Sequence, residues 1–395
     1  MSDLSILGRS NLIFDADMLN NELEMKEKIS GKKILVIGAA GTIGQAVTKE
    51  IFKREPRILH AVDLSENNLV ELVRDIRSNR DYADVEFKTF AIDVGSNYYT
   101  DFYKYHSPYD IILNLSAMKH VRSERDNFTL MRMLDVNVFN SIKVMRLASE
   151  QATKKYFCVS TDKAANPVNL MGASKRIMEL YSLRESCRLD ISMARFANVA
   201  FSDGSLLYGF NQRLMKSQPI SSPNDVKRYF VTPLEAGRLC LISTILGNNR
   251  EIFFPNAASE LRLQSFKDIA VRYLESRGYE PVECSTESEA RARVEELKAR
   301  KKWPVYFFES DTTGEKSEEE FFTKNETVNF GKFKSIGIIH NQEKVDIKAL
   351  DFFENELRHI KGAPYLSKQR IVAAIAKLVP NMLHEEKGRD LDQRM

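Results

Sequence analysis

The chain has 395 residues, 43% hydrophobic and 29% charged, enough for one large or two ordinary domains with a sizeable core. A net charge of +3 with no nucleic-acid motif argues against a nucleic-acid partner, and no run of eighteen apolar residues offers a membrane span. MSDLSILGRSNL lacks signal-peptide architecture, the four cysteines are scattered like reduced thiols, and the six histidines show no metal-ligand spacing; a cytoplasmic protein without a metal is expected.

Residues 1–30 read as a polar lead with an amphipathic helical stretch over 18–29, built on Met18, Leu19, Leu23, Met25 and Ile29 and ended by Gly31. KKILVIGAAGTIGQAVTKEIF follows. Its apolar run 34–37 predicts a central parallel strand, a helix pattern begins at Ile43, and Thr42, Ile43 and Gly44 are expected among the cofactor-binding residues. Between strand and helix, Gly38 permits a sharp turn, Gly41 lets a pyrophosphate approach the backbone, and Gly44 lets the helix pack close to the sheet. A second strand over 58–62 ends at Asp63, about twenty residues beyond the glycines, where a carboxylate accepts both adenosine-ribose hydroxyls. An acid there repels a 2′-phosphate, which favours NAD over NADP. Asp63 also reads as the N-cap of a helix over 66–77, and both roles can coexist. A third strand, 85–92, ends at Asp93-Val94, an adenine-edge position. The fourth, 110–115, ends in Ser116 and Ala117, small enough for a cofactor to lie flat. Lys119 and His120 then point cations at the cleft; a satisfied surface histidine is the competing reading.

The helix pattern over 128–150 is apolar except for Asn137, an amide that must find partners and is expected to brace the strand that follows. That strand, Phe157-Cys158-Val159, ends in Ser160-Thr161-Asp162-Lys163, the carboxyl end where open α/β sheets hold their chemistry. Lys175 lies one helical turn after Met171 on the same face. A strand over 191–196 leads to Asn198, then a turn with Ser202, Gly204 and Ser205, a helix over 206–216, and Lys227-Arg228-Tyr229-Phe230. Cations beside aromatics, hydroxyls and amides suit an anionic, ring-bearing ligand; a solvated basic patch is the alternative. Beyond Gly247, a strand over 251–254 and a helix over 265–277 suggest a smaller α/β lobe. Next come a charged, solvated helix over 286–302, a strand over 303–308, a turn over 309–316 that approaches the cleft, an amphipathic helix over 367–379 and a polar end over 385–395. The expected organisation is a helical lead 1–30, a dinucleotide-binding domain 31–200, a substrate-binding lobe 201–385 with some elements returning to the core, and a tail 386–395.

Strands alternating with helices behind a glycine-rich turn predict an α/β fold with a doubly wound parallel sheet. The set GAAGTIG, Asp63, Asp93-Val94, SAMKHV, STDKAANPVNLMGASK, RFANV and KRYF resembles the extended short-chain dehydrogenases. Within them it resembles the polysaccharide-biosynthesis branch, above all the UDP-N-acetylglucosamine 4,6-dehydratases, over residues 7–250. The stretch PVYFFESDTTGEKSEEEF is similar to C-terminal portions of related enzymes. Larger members of the branch carry N-terminal membrane helices, which this sequence lacks. The resemblance implies a UDP-sugar substrate, NAD, and a homo-oligomer paired through helices 128–150 and 176–184. It implies roles for Thr161 as partner of the sugar 4-hydroxyl, Asp162 as the acid at the departing 6-hydroxyl, Lys163 as the base at C5, and Lys175 as holder of the nicotinamide ribose. Lys119, His120, Asn198, Ser202, Gly204, Ser205 and Arg228 fall on the substrate side. Two departures stand out. Met171 takes the place of the usual tyrosine base, which resembles the dehydratases that retain configuration at C5, and Asn140 stands where many relatives have glycine. A nucleotide-sugar epimerase and an NAD-binding protein with altered catalysis are the competing readings.

Overall fold

A computed structural model describes residues 3–79, 84–257, 261–310, 318 and 320–384. Six strands alternate with helices as the apolar runs require: β1 (Lys33–Ile37), β2 (Ile58–Asp63), β3 (Glu86–Ala91), β4 (Ile111–Asn114), β5 (Lys155–Thr161) and β6 (Asp190–Phe196). Short strands β7 (Asn198–Val199), β8 (Ile220–Pro223) and β9 (Lys227–Val231) follow. Then come β10 (Glu251–Pro255), β11 (Leu263–Ser265), β12 (Glu280–Glu283), β13 (Lys302–Phe308), β14 (Val328–Asn329) and β15 (Ile336–His340).

Nine of these form one sheet in the order β14-β15-β10-β6-β5-β4-β1-β2-β3. All neighbours from β3 to β10 are parallel, and β15 and β14 close the far edge antiparallel. The chain builds outward from β1 to β3, then restarts at β4 on the other side of β1. The switch point therefore lies between β1 and β4, and a crevice opens at their carboxyl ends. Strands β1, β4 and β10 are almost continuously buried because helices cover both faces of the sheet.

Several elements depart from expectation. The strand over 251–254 joins the main sheet as β10, not a smaller lobe, since its apolar residues pair with β6 on one side and β15 on the other. The small lobe instead uses the three-stranded arrays β12-β13-β8 and β11-β9-β7, with its own core around Phe210, Tyr273 and Trp303. The stretch 18–29 splits into helices Asp15–Asn20 and Glu22–Ile29. Met18, Met25 and Ile29 are buried, but Leu19 and Leu23 face solvent. The stretch 128–150 is two helices, Asn127–Leu134 and Asn140–Glu150, joined by a π turn over Asp135–Phe139. The charged stretch 286–302 is two short helices that meet at Arg293. Most of the 309–316 turn and all of 385–395 lie outside the described residues.

The helix that carries Met171 and Lys175 runs Leu170–Glu185, and every residue in it except Arg176 and Arg184 is buried. Its outward face is covered by the chain's own helices Ile347–Gly362 and Lys368–Leu378. Tyr181 donates its hydroxyl proton to Leu350 O at 2.8 Å, and Arg184 pairs with Asp351 at 3.1 Å. Arg146 of the preceding helix makes a two-pronged bond to Glu354 at 2.9 and 3.1 Å. Part of the face implied as a subunit contact is thus covered from within the chain, while Phe128 on the same stretch stays exposed. Among the described residues no helix is long and apolar enough to cross a membrane.

Candidate active site

The crevice at the switch point is a cavity of about 320 Å³ lined by Gly38, Gly41, Asp63, Asp93, Val94, Ser116 and Ala117, seven of the residues expected to hold a dinucleotide. Gly38 has φ of +73°, and a Cβ there would sit 2.8 Å from Ser116 N, so only glycine lets the turns after β1 and β4 touch. A Cβ on Gly44 would lie 2.0 Å from Gly38 O, which fixes the helix Thr42–Phe52 hard against the turn. Gly41 differs: a Cβ there would meet nothing nearer than 3.6 Å, so protein packing leaves its space open to the cleft. Gly44 thus packs rather than lines, and Thr42 and Ile43 begin the helix beside the cavity.

Asp63 accepts from Ala40 N and from Ser65 N, each at 2.9 Å. The cap of the helix Glu66–Arg77 is Ser65, which accepts from Asn68 N. The capping reading of Asp63 therefore gives way to a different one: its carboxylate ties the glycine turn to the end of β2. Asp93 accepts from Gly95 N at 2.8 Å and faces Arg132 at 3.5 Å. Arg132 and Asn140 also line the cavity. Arg132 escaped sequence reading because an arginine within an amphipathic helix carries no mark of the cleft.

At the end of β5, Asp162 Oδ1 accepts from Thr161 Oγ1 at 2.8 Å, Lys163 N at 2.9 Å and Lys163 Nζ at 3.1 Å. The three side chains form one cluster, with Asp162 buried and Lys163 only partly covered. Lys175 donates to Val159 O at 3.0 Å. Burial pulls its ammonium down to about 8, against the opposing pull of Cys158 and Glu179. Met171 is buried at the first turn of the same helix, and its backbone N–H donates to Glu124 Oε1 at 2.8 Å. Glu124 was not anticipated; an acid inside the charged run 122–126 looks solvated until the fold buries it.

Asn137 donates to Met118 O at 3.0 Å and Ser174 Oγ at 2.9 Å, and accepts from Met118 N at 2.8 Å. It braces the loop after β4 and ties it to the lysine helix, rather than bracing β5 itself. The π turn is what turns this amide inward.

On the opposite wall, Lys119 Nζ donates to Ser202 Oγ at 3.1 Å. Burial lowers the pKa of Lys119, which Asp203 partly offsets. Burial, then Lys119 and Arg122, lower that of His120. His120 packs against Gly204, where a Cβ would lie 2.8 Å from its ring, so it is no free surface histidine. Among the described residues Asn198 Nδ2 is buried without a hydrogen-bond partner. Ser205 caps the helix Leu206–Met215, and Arg228 is buried in β9 with its guanidinium on Lys227 O.

Sheet order, glycine turn and the position of the lysine helix define an extended short-chain dehydrogenase fold. The structure is similar to that of Pen from Bacillus thuringiensis, with a TM-score of 0.65 at 21% identity over 80% of this chain and 90% of that one. It is also similar to WbmF of Bordetella bronchiseptica in complex with NAD+, with a TM-score of 0.51 at 14% identity over 64% and 80%. The chain belongs to the polysaccharide biosynthesis protein family, whose sequence pattern matches residues 34–341. It is 26% identical to an uncharacterized membrane protein of Methanocaldococcus jannaschii over 86% of this chain and 94% of that one. It is 30% identical to the capsular polysaccharide biosynthesis protein CapD of Staphylococcus aureus over 63% of this chain but only 41% of CapD. It is 27% identical to the inverting UDP-N-acetylglucosamine 4,6-dehydratase of Campylobacter jejuni over 58% and 68%.

Proposed function

We propose that the protein is an NAD-dependent nucleotide-sugar 4,6-dehydratase acting on UDP-N-acetylglucosamine in surface-glycan synthesis. The observation that carries this reading is the Thr161-Asp162-Lys163 cluster at the end of β5, one carboxyl and one amine 3.1 Å apart, beside a buried Lys175 and a methionine at position 171. An alcohol oxidation alone needs no such acid and base, whereas water loss across C5–C6 needs both. The residues around the crevice fit a dinucleotide: the open space at Gly41, the amides at the start of the helix Thr42–Phe52, and Asp63 at the end of β2. The negative charge of Asp63 favours NAD over NADP.

When bound, the nicotinamide supplies a hydride acceptor at C4 and a donor at C6. The protein's part is to hold and move protons. Transfer of one proton from Lys163 Nζ to Asp162 across their 3.1 Å contact leaves a neutral amine to remove the C5 proton and a carboxylic acid to protonate the departing 6-hydroxyl, while Thr161 engages the 4-hydroxyl. Lys175 positions the nicotinamide ribose. Lys119, His120, Asn198 and the 202–205 turn face the nucleotide sugar with Arg228 behind them. A thioether takes no proton, so Met171 disfavours chemistry that ends at C4, which is what an epimerase performs.

Incubation with UDP-N-acetylglucosamine and NAD in deuterated water tests the reading. The expected product is lighter by one water and carries deuterium at C5. An isomer of unchanged mass makes the protein an epimerase; tight NAD binding with no turnover makes it a binding protein.

A further inference from the structure

The loop 201–205 touches both halves of the cleft. Asp203 N donates to Thr42 Oγ1 at 3.1 Å, at the first residue of the glycine-turn helix. One residue before, Ser202 accepts from Lys119; one residue after, Gly204 seats the ring of His120. At its start, Phe201 packs on the small-lobe core with its ring 6.2 Å from that of Tyr273. Gly204 has φ of +72°, which glycine adopts freely, but Phe201 has φ of +55°, a conformation a phenylalanine holds only where its contacts impose it.

We propose that this loop couples the two ligand sites, so that a bound dinucleotide tightens the binding of the uridine nucleotide and the reverse. The inference rests on the function proposed above. A threonine hydroxyl has one proton to give and two lone pairs. Here one lone pair is engaged by Asp203 N, and the proton is left for an acceptor at the helix start, where a pyrophosphate oxygen would lie. Donating that proton polarises the hydroxyl and strengthens its hold on Asp203 N–H. The loop is then fixed in the position that presents Lys119, Ser202 and His120 to the second ligand. Linkage makes the effect reciprocal.

Calorimetric titration of the full chain with UDP, with and without saturating NAD, reads the coupling. The expected result is that NAD tightens UDP binding about five- to tenfold, and UDP tightens NAD by the same factor. Asp203→Pro removes the N–H and is expected to bring the factor below about twofold, while Asp203→Asn keeps the N–H and the factor, which separates the hydrogen bond from the carboxylate charge. Thr42→Val removes the hydroxyl and serves as a second variant should Asp203→Pro fail to fold. Equal UDP affinities with and without NAD in the unaltered chain overturn the coupling. A factor that survives Thr42→Val, or disappears in Asp203→Asn, overturns the route. If neither ligand binds, the functional reading fails and the coupling with it.

Discussion

Asp63 holds two backbone N–H groups, one on the glycine turn and one beyond β2. Its replacement by alanine leaves Ala40 N without its acceptor as well as removing the carboxylate proposed to hold the ribose. Asp63→Ala is expected to weaken NAD binding about tenfold, in line with charge-assisted hydrogen bonds; unchanged affinity by fluorescence titration would confine Asp63 to bracing the turn. Lys163→Ala is expected to abolish water loss while NAD still binds; normal turnover would remove Lys163 from the base role. Lys175 gives a pH signature. Its ammonium titrates near 8 in the folded chain, below the ordinary 10.5, because burial disfavours the charge. Between those values the unfolded chain binds more protons, so this group's contribution to stability rises with pH, complete above 10.5 and gone below 8. Urea unfolding from pH 7.5 to about 10 should show that rise in the unaltered protein and lack it in Lys175→Met.

At the scale of elements, local signals were legible and non-local ones were not. The strand, glycine turn and helix from Lys33 to Phe52 could be read because apolar run and turn chemistry are contiguous. The π turn could not, since one extra residue barely disturbs the apolar stripe of residues 128–150. Strand β15 went unread because a five-residue run broken by Gly337 is too short to mark a strand until it pairs with β10. The helix Ile347–Gly362 went unread for a related reason: its apolar residues find their purpose on a surface far back in the chain. In the candidate site, residues at strand ends were accessible to reasoning. Glu124 and Thr42–Asp203 were not, because their partners come from separate loops. The covering helices carry measurable energy. Leu357 is fully buried, and Leu357→Ala is expected to cost about 2–5 kcal/mol by denaturant titration.

Across the molecule, the main sheet and the small lobe have separate apolar cores, and the loop 201–205 reaches from one to the other. A buried ionic link joins strands, helix and C-terminal segment. Arg195 on β6 makes two bonds to Glu179, at 2.8 and 2.9 Å, and two to Glu326, at 2.8 and 2.9 Å. Ser160 donates to the same Glu179 at 2.6 Å. Burial pushes the Glu179 carboxyl up, but Arg195, Arg176 and Ser160 outweigh it and hold it at about 2. This stabilisation is present above 4.5 and lost as pH falls towards 2. Glu179→Gln is expected to cost about 3–5 kcal/mol near neutrality and to flatten acid unfolding in that window.

The helix bearing Lys175 emerges from the ribosome long before its cover. Tyr181 must wait for Leu350, 169 residues downstream. During synthesis an apolar flank of this helix is left bare, a period in which nascent chains can stick to one another or to chaperones. The sequence distance between this helix and its cover thereby becomes a matter of cellular yield, set by translation speed as much as by the free energy of the finished fold.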